Sequence, residues 1–274
     1  MTTKAAFGRI GAWRSATQLD GAFAARAEQL GYGTLWVGGS PVSDLVIVEE
    51  LLDATEHILV ATGIVNIWQA DAASVAQSFH RIEDAHPGRL VLGIGSGHRE
   101  ATPERIRPLA ALRSYLDVLD DEGVGPDRRL LAALGDRTLA LAAERTLGAH
   151  PYFTLPEHTA HARRVMGSDA LLAPELTVAL GDRALAAARP FVRRYLGLSN
   201  YVVALRRSGV SDADVDGGGS EAFVDRIVAN PAPADAAAGA AAHLAAGADH
   251  VAVQALGDDP LGALEQIAVE LDLM

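Results

Sequence analysis

The stretch LVLGIGSGH (90–98) decides the fold of this 274-residue chain, because an apolar strand pattern runs directly into alternating glycines. Such glycines let a backbone approach a phosphate or a flat ring closely. A Rossmann fold would carry them after its first strand, with the spacing G-x-G-x-x-G. Here three strand–helix patterns precede the motif, and its spacing is G-x-G-x-G. The motif therefore does not belong to a dinucleotide-binding fold.

Strand patterns alternate with helical patterns along the whole chain. In one chain of this length, this alternation predicts a single (β/α)8 barrel domain over residues 1–274, with a doubly wound sheet as the alternative. The loop-like segment VSDADVDGGGSE (210–221) reads as a short insertion before the last strand. The predicted strands are 6–13, 34–38, 58–66, 89–95, 128–134, 150–153, 175–180 and 249–256, and the main predicted helices are 17–33, 43–55, 71–88, 103–123, 135–148, 156–167, 182–209 and 261–274.

The composition excludes several classes of protein. The chain has no cysteine, which excludes disulfide scaffolds, thiolate zinc clusters and thiol nucleophiles. A formal net charge of −12 argues against a nucleic-acid partner, because phosphate contacts need clustered Lys and Arg. The sequence shows no signal peptide and no apolar stretch of the ~20 residues that span a bilayer. We expect a soluble, cytoplasmic protein without a metal site or a membrane partner.

Three stretches resemble the bacterial-luciferase-like superfamily of flavin- and deazaflavin-dependent barrel enzymes, and within it the coenzyme F420-dependent oxidoreductases. They are ATGIVN (61–66), SFHRIEDAHPGRLVLGIGSGH (78–98) and LLAALGDRTLALAAERTLGAHPYF (130–153). The resemblance implies a luciferase-like TIM barrel that forms a homodimer and holds the cofactor ring at the carboxyl ends of its strands. It also implies hydride transfer between the deazaflavin C5 and a small organic substrate.

The third strand carries the first implied cofactor contacts. In families that this sequence resembles, that strand ends in a non-proline cis peptide bond against the ring, and the matching bond is Gly63–Ile64. Ile64 is then the apolar support behind the ring. Asn66 becomes a hydrogen-bonding group near the polar edge of the ring.

The loop after the fourth strand matches a segment that lines the cofactor and substrate cavity, and its residues Gly95, Ser96 and Gly97 become cofactor-binding candidates. Many F420 enzymes carry a carboxylate where this chain has His98. An imidazole with an ordinary pKa near 6.5 exchanges protons close to neutrality, so His98 is the first candidate for a catalytic proton relay. The alternative is a structural histidine that caps the next helix.

The segment AALGDR (132–137) matches the place where the phosphate of the cofactor sits. Gly135 and Asp136 begin a predicted helix, and the N-terminal amides of a helix favour an anion. We expect a backbone contact from Gly135 and a charge contact from Arg137. Asp136 has the wrong charge for direct contact, so we expect it to cap the helix.

Aromatic side chains at the predicted strand ends would wall a flat pocket. Trp13 and Trp68 close the first and third strands, and His150 and Tyr152 belong to the predicted sixth strand. Trp13 is a cofactor-binding candidate, and His150 is the second candidate for a catalytic imidazole. For each of them, packing at the end of the barrel is the alternative.

One departure from the resembling dehydrogenases concerns the end of the second strand. Those enzymes often place an Asp or a His there, whereas this chain has Gly38, Gly39 and Ser40. The departure removes the usual base for alcohol oxidation and favours a reductase, with Gly38 as a cofactor contact. Three functions stay open: an F420-dependent oxidoreductase, an FMN-dependent monooxygenase, and a flavin-binding barrel with reduced catalysis. Basic residues that F420's anionic tail would need are Arg99, Arg137, Arg163 and Arg164.

Overall fold

The structure is a computed structural model that describes residues 4–100, 107–228 and 230–274. Its strands pair in parallel in the order β8-β7-β6-β5-β3-β2-β1-β10-β9, with β4 paired to β5. Because neighbours in the chain are mostly neighbours in the sheet, each strand is followed by a helix that returns outside it. The strands are β1 Ile10–Ser15, β2 Thr34–Gly38, β3 Leu59–Gly63, β4 Val65–Asn66, β5 Leu90–Gly95, β6 Arg129–Leu131, β7 Gly148–Ala149, β8 Leu171–Leu172, β9 Glu175–Val178 and β10 Val251–Ala255.

The sheet closes on itself. Strands β3 and β4 are one run interrupted at Ile64, and β8 and β9 are one run interrupted at 173–174. The first half of the second run pairs with β7 and the second half pairs with β10, so both ends of the sheet belong to one stretch of chain. Counted this way, the strands form the (β/α)8 barrel that the sequence predicts, and the doubly wound alternative is excluded.

The helices lie outside the sheet, and polar side chains fix where several of them begin. Asp20 accepts a hydrogen bond from the amide of Phe23, and Asp71 accepts one from Ser74, as N-caps do. The helices are α1 Gly21–Gln29, α2 Val46–Asp53, α3 Ala72–Ala85, α4 Pro108–Asp121, α5 Asp136–Arg145, α6 Pro156–Met166, α7 Gly181–Leu196, α8 Ser199–Arg207, α9 Asp212–Val215, α10 Glu221–Ile227, α11 Pro233–Ala245 and α12 Pro260–Glu270.

The predicted sixth strand, 150–153, is wrong. The strand is Gly148–Ala149, and the residues after it leave the sheet. Pro151 has no amide hydrogen to donate to a ladder, and Phe153 has a φ of 54°, which is left-handed backbone. His150 and Tyr152 therefore lie on the loop beyond the strand.

Other elements can be compared with their predictions in the same way. The first strand ends at Ser15, so Trp13 and Arg14 both lie inside it. The sequence predicts helix over 182–209 with a break near Pro190 or Gly197, and the structure has the break at 197–198 while Pro190 stays inside α7. Part of the predicted insertion is helical, since α9 and a 3-10 turn lie within it. Residues 103–106 of the predicted fourth helix lie outside the described residues.

Two apolar clusters position the site. One fills the barrel interior and includes Phe7, Trp13 and Trp36. The other lies under α7, α8 and α10 and includes Phe153 and Tyr201. The second cluster holds the helices that precede β10 over the carboxyl ends of the strands. Within the described residues, no helix has both the length and the apolar character needed to cross a bilayer.

Candidate functional site

A cavity of about 870 Å³ opens at the carboxyl ends of the strands, where barrel enzymes bind their ligands. Its volume lies in the usual range for small-molecule sites. Four of the predicted site residues do not line it: Gly38, Gly95, Asp136 and Arg137. The others do, namely Trp13, Gly63, Ile64, Asn66, Ser96, Gly97, His98, Gly135 and His150.

The glycines of the opening motif make room for side chains of the neighbouring strand. The Gly63–Ile64 bond is cis, as the resemblance implies. A Cβ at Gly95 would lie 2.8 Å from Cγ1 of Ile64, and one at Gly97 would lie 2.8 Å from Nδ2 of Asn66. Ile64 and Asn66 therefore pack directly on this loop, and both reach the cavity wall because the loop has no side chains there.

His98 lies between the β5 loop and α8. Its Nδ1 is 3.2 Å from Oδ1 of Asn200, and its ring centroid is 5.2 Å from that of Tyr201. The next acidic residue, Glu100, accepts a hydrogen bond from the amide of Ser199 at 3.0 Å. The loop therefore joins the start of α8. His98 does not cap α4, whose N-cap residue is Arg107.

Asp136 does not cap α5, contrary to the prediction. The N-cap residue is Gly135, which has no side chain to accept from the first amides of the helix. The carboxylate of Asp136 instead accepts a hydrogen bond from Nε2 of His161 at 2.7 Å, and that bond lowers the pKa of Asp136. The first turn of α5 is thus left open toward the cavity at Gly135.

The described wall of the cavity contains two arginines and no Asp or Glu, in a chain whose net charge is −12. Arg14 lies near the end of β1, and its Nε donates to the backbone oxygen of Gln18 at 3.3 Å. Arg194 lies on α7, 6.0 Å from the ring centroid of Tyr195. Neither arginine has a carboxylate within ion-pair distance among the described residues. The cavity therefore favours an anionic ligand.

Trp13 and His150 form the inner end of the cavity. Nδ1 of His150 lies 2.7 Å from the carbonyl oxygen of Ala173, and the imidazole stacks on Trp36 with centroids 4.0 Å apart. Burial lowers the pKa of His150 to about 4, so the ring is neutral at neutral pH. A neutral, buried ring does not suit the proton exchange near neutrality for which the sequence makes His150 the second candidate.

Several wall residues come from α7 and α8, where the sequence shows only helical spacing. Tyr152 donates its hydroxyl hydrogen to Oε1 of Gln254 at 2.6 Å, and its oxygen is 3.1 Å from the hydroxyl of Tyr195. Arg194 and Asn200 also come from these helices. No local sequence signal identifies them, because only the tertiary fold brings α7 and α8 over the barrel.

A second cavity of about 390 Å³, here called the outer cavity, lies between α5, α6 and α8 and shares Leu134 with the first cavity. It is lined by Leu134, Asp136, Glu157, His158, His161, Arg164, Ala204, Arg207 and Ser208.

Both carboxylates of the outer cavity are in ion pairs, whereas its two arginines are not, among the described residues. Asp136 is bonded to His161, and Glu157 is bonded to Arg226 at 2.6 Å. Arg164 and Arg207 have no carboxylate within ion-pair distance in the described part of the chain. The guanidinium groups of Arg164 and Arg207 are therefore available to an anionic part of a ligand that extends from the first cavity into the outer cavity.

The fold and the cavity define a (β/α)8 barrel with its ligand site at the carboxyl ends of the strands. A family model described as luciferase-like monooxygenase matches residues 6–121. The uncharacterized protein YwcH of Bacillus subtilis (strain 168) is 30% identical over 174 residues, which are 49% of this chain and 50% of that protein. The match spans about half the length of this relative. These findings confirm the luciferase-like resemblance.

Solved structures share the fold over nearly the whole chain. One is the coenzyme F420 dependent tetrahydromethanopterin reductase from Methanopyrus kandleri, with a TM-score of 0.79 and 17% identity over 96% of this chain and 98% of that one. Another is a type II Baeyer–Villiger monooxygenase from Pseudomonas putida in complex with FMN, the oxygenating constituent of 3,6-diketocamphane monooxygenase. It has a TM-score of 0.69 and 16% identity over 96% and 97% of the two chains. At 16–17% identity, these likenesses show that the chain shares the barrel fold of these enzymes.

Proposed function

We propose that this protein is an F420-dependent oxidoreductase that transfers a hydride between the deazaflavin C5 and a small organic substrate. One observation carries the proposal: the cavity of about 870 Å³ has two arginines and no carboxylate on its described wall. Coenzyme F420 joins a flat ring to a phosphate and a glutamate tail, so it is a large polyanion. A ligand of that shape and charge fits this cavity.

The residues that would hold the ring and the phosphate lie on different strands. Ile64 gives the ring an apolar support, and Asn66 offers a polar group beside it. Gly135 exposes the first amides of α5, where the helix dipole favours a phosphate. When bound, the deazaflavin supplies a hydride acceptor or donor, and His98 exchanges the accompanying proton.

The outer cavity favours F420 over the shorter FMN. A Cβ at Gly135 would lie 3.8 Å from Nη1 of Arg207, so this arginine is next to the proposed phosphate position. Arg164 lies further along the same cavity. An anionic tail that extends beyond the phosphate would meet both guanidinium groups. Arg163, another candidate from the sequence, is bonded to Asp249 and is not available.

The runner-up is an FMN-dependent monooxygenase of the same barrel type. The flavin has the same ring shape as the deazaflavin, and the family match carries the name of a monooxygenase. The proposal also includes a single domain over residues 1–274 and a homodimer, which the family resemblance implies. A cytoplasmic location is part of it as well, as expected from the sequence composition.

Deuterium transfer tests the proposed function. Reduced F420 labelled with deuterium at C5 is mixed with the full chain and a panel of enones, imines and ketones, and the products are analysed by mass spectrometry. We expect one deuterium on product carbon. Incorporation of labelled oxygen from O2 with reduced FMN would establish the runner-up instead. Tight binding without turnover of any acceptor would indicate a barrel with reduced catalysis.

A substitution of His98 sharpens the same test. His98→Gln keeps a group that reaches Asn200 but removes the proton exchange, so we expect unchanged F420 affinity and a turnover about 100-fold lower. Full turnover in this variant would dismiss His98 as the proton relay.

A further inference from the structure

Two buried nitrogen atoms at the inner end of the cavity have no hydrogen-bond partner among the described residues. They are Nε1 of Trp13 and Nε2 of His150, in residues that are 8% and 2% exposed. A Cβ built at Gly63 would lie 2.8 Å from the first atom and 3.3 Å from the second. An indole nitrogen and an imidazole nitrogen therefore converge on the same small space beside the cavity.

The chemistry of the two atoms is complementary. The indole nitrogen of Trp13 carries a hydrogen and only donates. His150 uses Nδ1 to donate to the carbonyl oxygen of Ala173, which accepts only, so Nε2 of the neutral ring carries a lone pair. The space beside Gly63 thus presents one donor and one acceptor.

A neighbouring pair shows how the same groups look when they are satisfied. Trp36 donates from its indole nitrogen to Nε2 of His250 at 3.0 Å, and Nδ1 of His250 lies 2.9 Å from the carbonyl oxygen of Gly8. We call Trp36 and His250 the closed pair, and Trp13 and His150 the open pair. Buried polar groups are nearly always hydrogen-bonded, so the open pair needs a partner from outside the chain.

The position of the open pair explains the missing side chain at the end of β2. A Cβ at Gly38 would overlap the six-membered ring of Trp13, so the indole occupies the space that a side chain at this position would fill. The polar atoms at this point of the cavity are therefore supplied by Trp13 and His150.

We propose that the open pair binds the hydroxyl group of an alcohol ligand. A hydroxyl oxygen accepts a hydrogen from the indole of Trp13 and donates its own hydrogen to Nε2 of His150. An ether or a carbonyl oxygen satisfies only the indole, and an ammonium group satisfies only the imidazole. The inference goes beyond the proposed function and does not depend on it, because it states only which chemical group binds at this point of the cavity.

Indole N–H signals in nitrogen-15 proton spectra test this directly. The chain has three tryptophans, and Trp13→Phe assigns the signal of Trp13 by its loss. Cyclohexanol and benzyl alcohol are titrated into the full chain, with and without F420, beside their methyl ethers. We expect the alcohols to move the Trp13 signal downfield and to leave the signals of Trp36 and Trp68 in place, because those two are already hydrogen-bonded.

The matched variant is His150→Asn, whose amide keeps the donor to Ala173 and lacks the acceptor nitrogen. We expect the wild type to bind each alcohol about 3- to 10-fold more tightly than its ether, and this preference to vanish in the variant. Equal affinities for alcohol and ether in the wild type, or no movement of the Trp13 signal with or without F420, would overturn the proposal. The spectra without F420 do not depend on cofactor identity, so failure of the proposed function would be seen separately.

Discussion

The closed pair and the open pair each combine a tryptophan with a histidine, but only in the closed pair are the two side chains hydrogen-bonded to each other. Trp36 and His250 bond to each other inside the barrel, whereas Trp13 and His150 leave a donor and an acceptor beside the cavity. The two pairs touch, since Trp36 stacks on His150. A pair whose indole is hydrogen-bonded to its histidine thus lies directly against a pair whose polar atoms lack a partner among the described residues.

The largest expected contrast is between Trp36→Phe and Trp13→Phe. The first leaves the acceptor of His250 unpaired and removes packing, so we expect the free energy of unfolding to fall by about 3 kcal/mol. The second also removes packing, but the donor that it takes away already lacks a partner, so we expect a smaller loss of about 1 to 2 kcal/mol. Urea unfolding of both variants measures the contrast. Equal losses would contradict the distinction between the pairs.

A change at Gly38 tests how tightly the open pair is built. We expect Gly38→Ala to destabilise the protein by about 2 kcal/mol, because its Cβ would overlap the indole of Trp13. In a Trp13→Phe background the overlapping ring atoms are gone, so the same change should cost much less. A double-mutant cycle in urea gives the coupling energy. Simple additivity would show that the indole lies elsewhere.

The pH dependence of stability compares the two pairs through their histidines, His150 and His250. Burial lowers the pKa of both His150 and His250 to about 4, against about 6.5 in an unfolded chain. Between these values the unfolded chain binds more protons, so stability falls as the pH falls through this window. Each histidine contributes at most about 1.4 kcal/mol per pH unit. We expect His250→Asn and His150→Asn each to flatten the dependence by that amount in urea unfolding; an unchanged slope would contradict neutral burial.

Ionisation of Glu175 changes the pH dependence of stability in the opposite direction to the two histidines. Burial raises the pKa of this carboxyl group to about 7, although Thr177 and the amide of Phe153 both donate to it. Its contribution to stability is present below about pH 4.5 and is lost as the pH rises through 7. Glu175→Gln should therefore make stability rise more steeply with pH between these values, which separates this carboxyl from the histidines.

The smallest expected effects belong to the arginines of the cavity wall. Arg14→Gln and Arg194→Gln should each weaken F420 binding about 3- to 10-fold, and the loss should shrink at high salt because solvent-exposed charges are screened. Arg189→Gln is the control on the same helix as Arg194, since Arg189 pairs with Glu221 and does not line the cavity. A control variant that loses as much affinity would remove the arginines from the binding site.

Much of the barrel could be predicted because strand and helix spacing are local. β2 at Thr34–Gly38 matches its prediction, and the glycine loop after β5 lies where the resemblance implies. The strand predicted at 150–153 is wrong, because a proline and a left-handed residue end the pairing at Ala149. This error arises locally, because the residue type at Phe153 does not indicate its left-handed backbone conformation.

The candidate site was less predictable, because its chemistry depends on contacts between distant residues. The sequence singles out Trp13 and His150, but not that their unpaired atoms meet beside Gly63. The role of Asp136 failed for the same reason, since its partner His161 comes from another helix. Arg194 and Asn200 carry no local signal at all.

The central proposal is that the arginine-lined cavity binds F420. Its most direct test is a titration of the full chain with F420 and, separately, with FMN, followed by ligand fluorescence. The account predicts saturable binding of F420 at least about tenfold tighter than that of FMN, with the difference reduced in Arg207→Gln. Equal or tighter binding of FMN would contradict it.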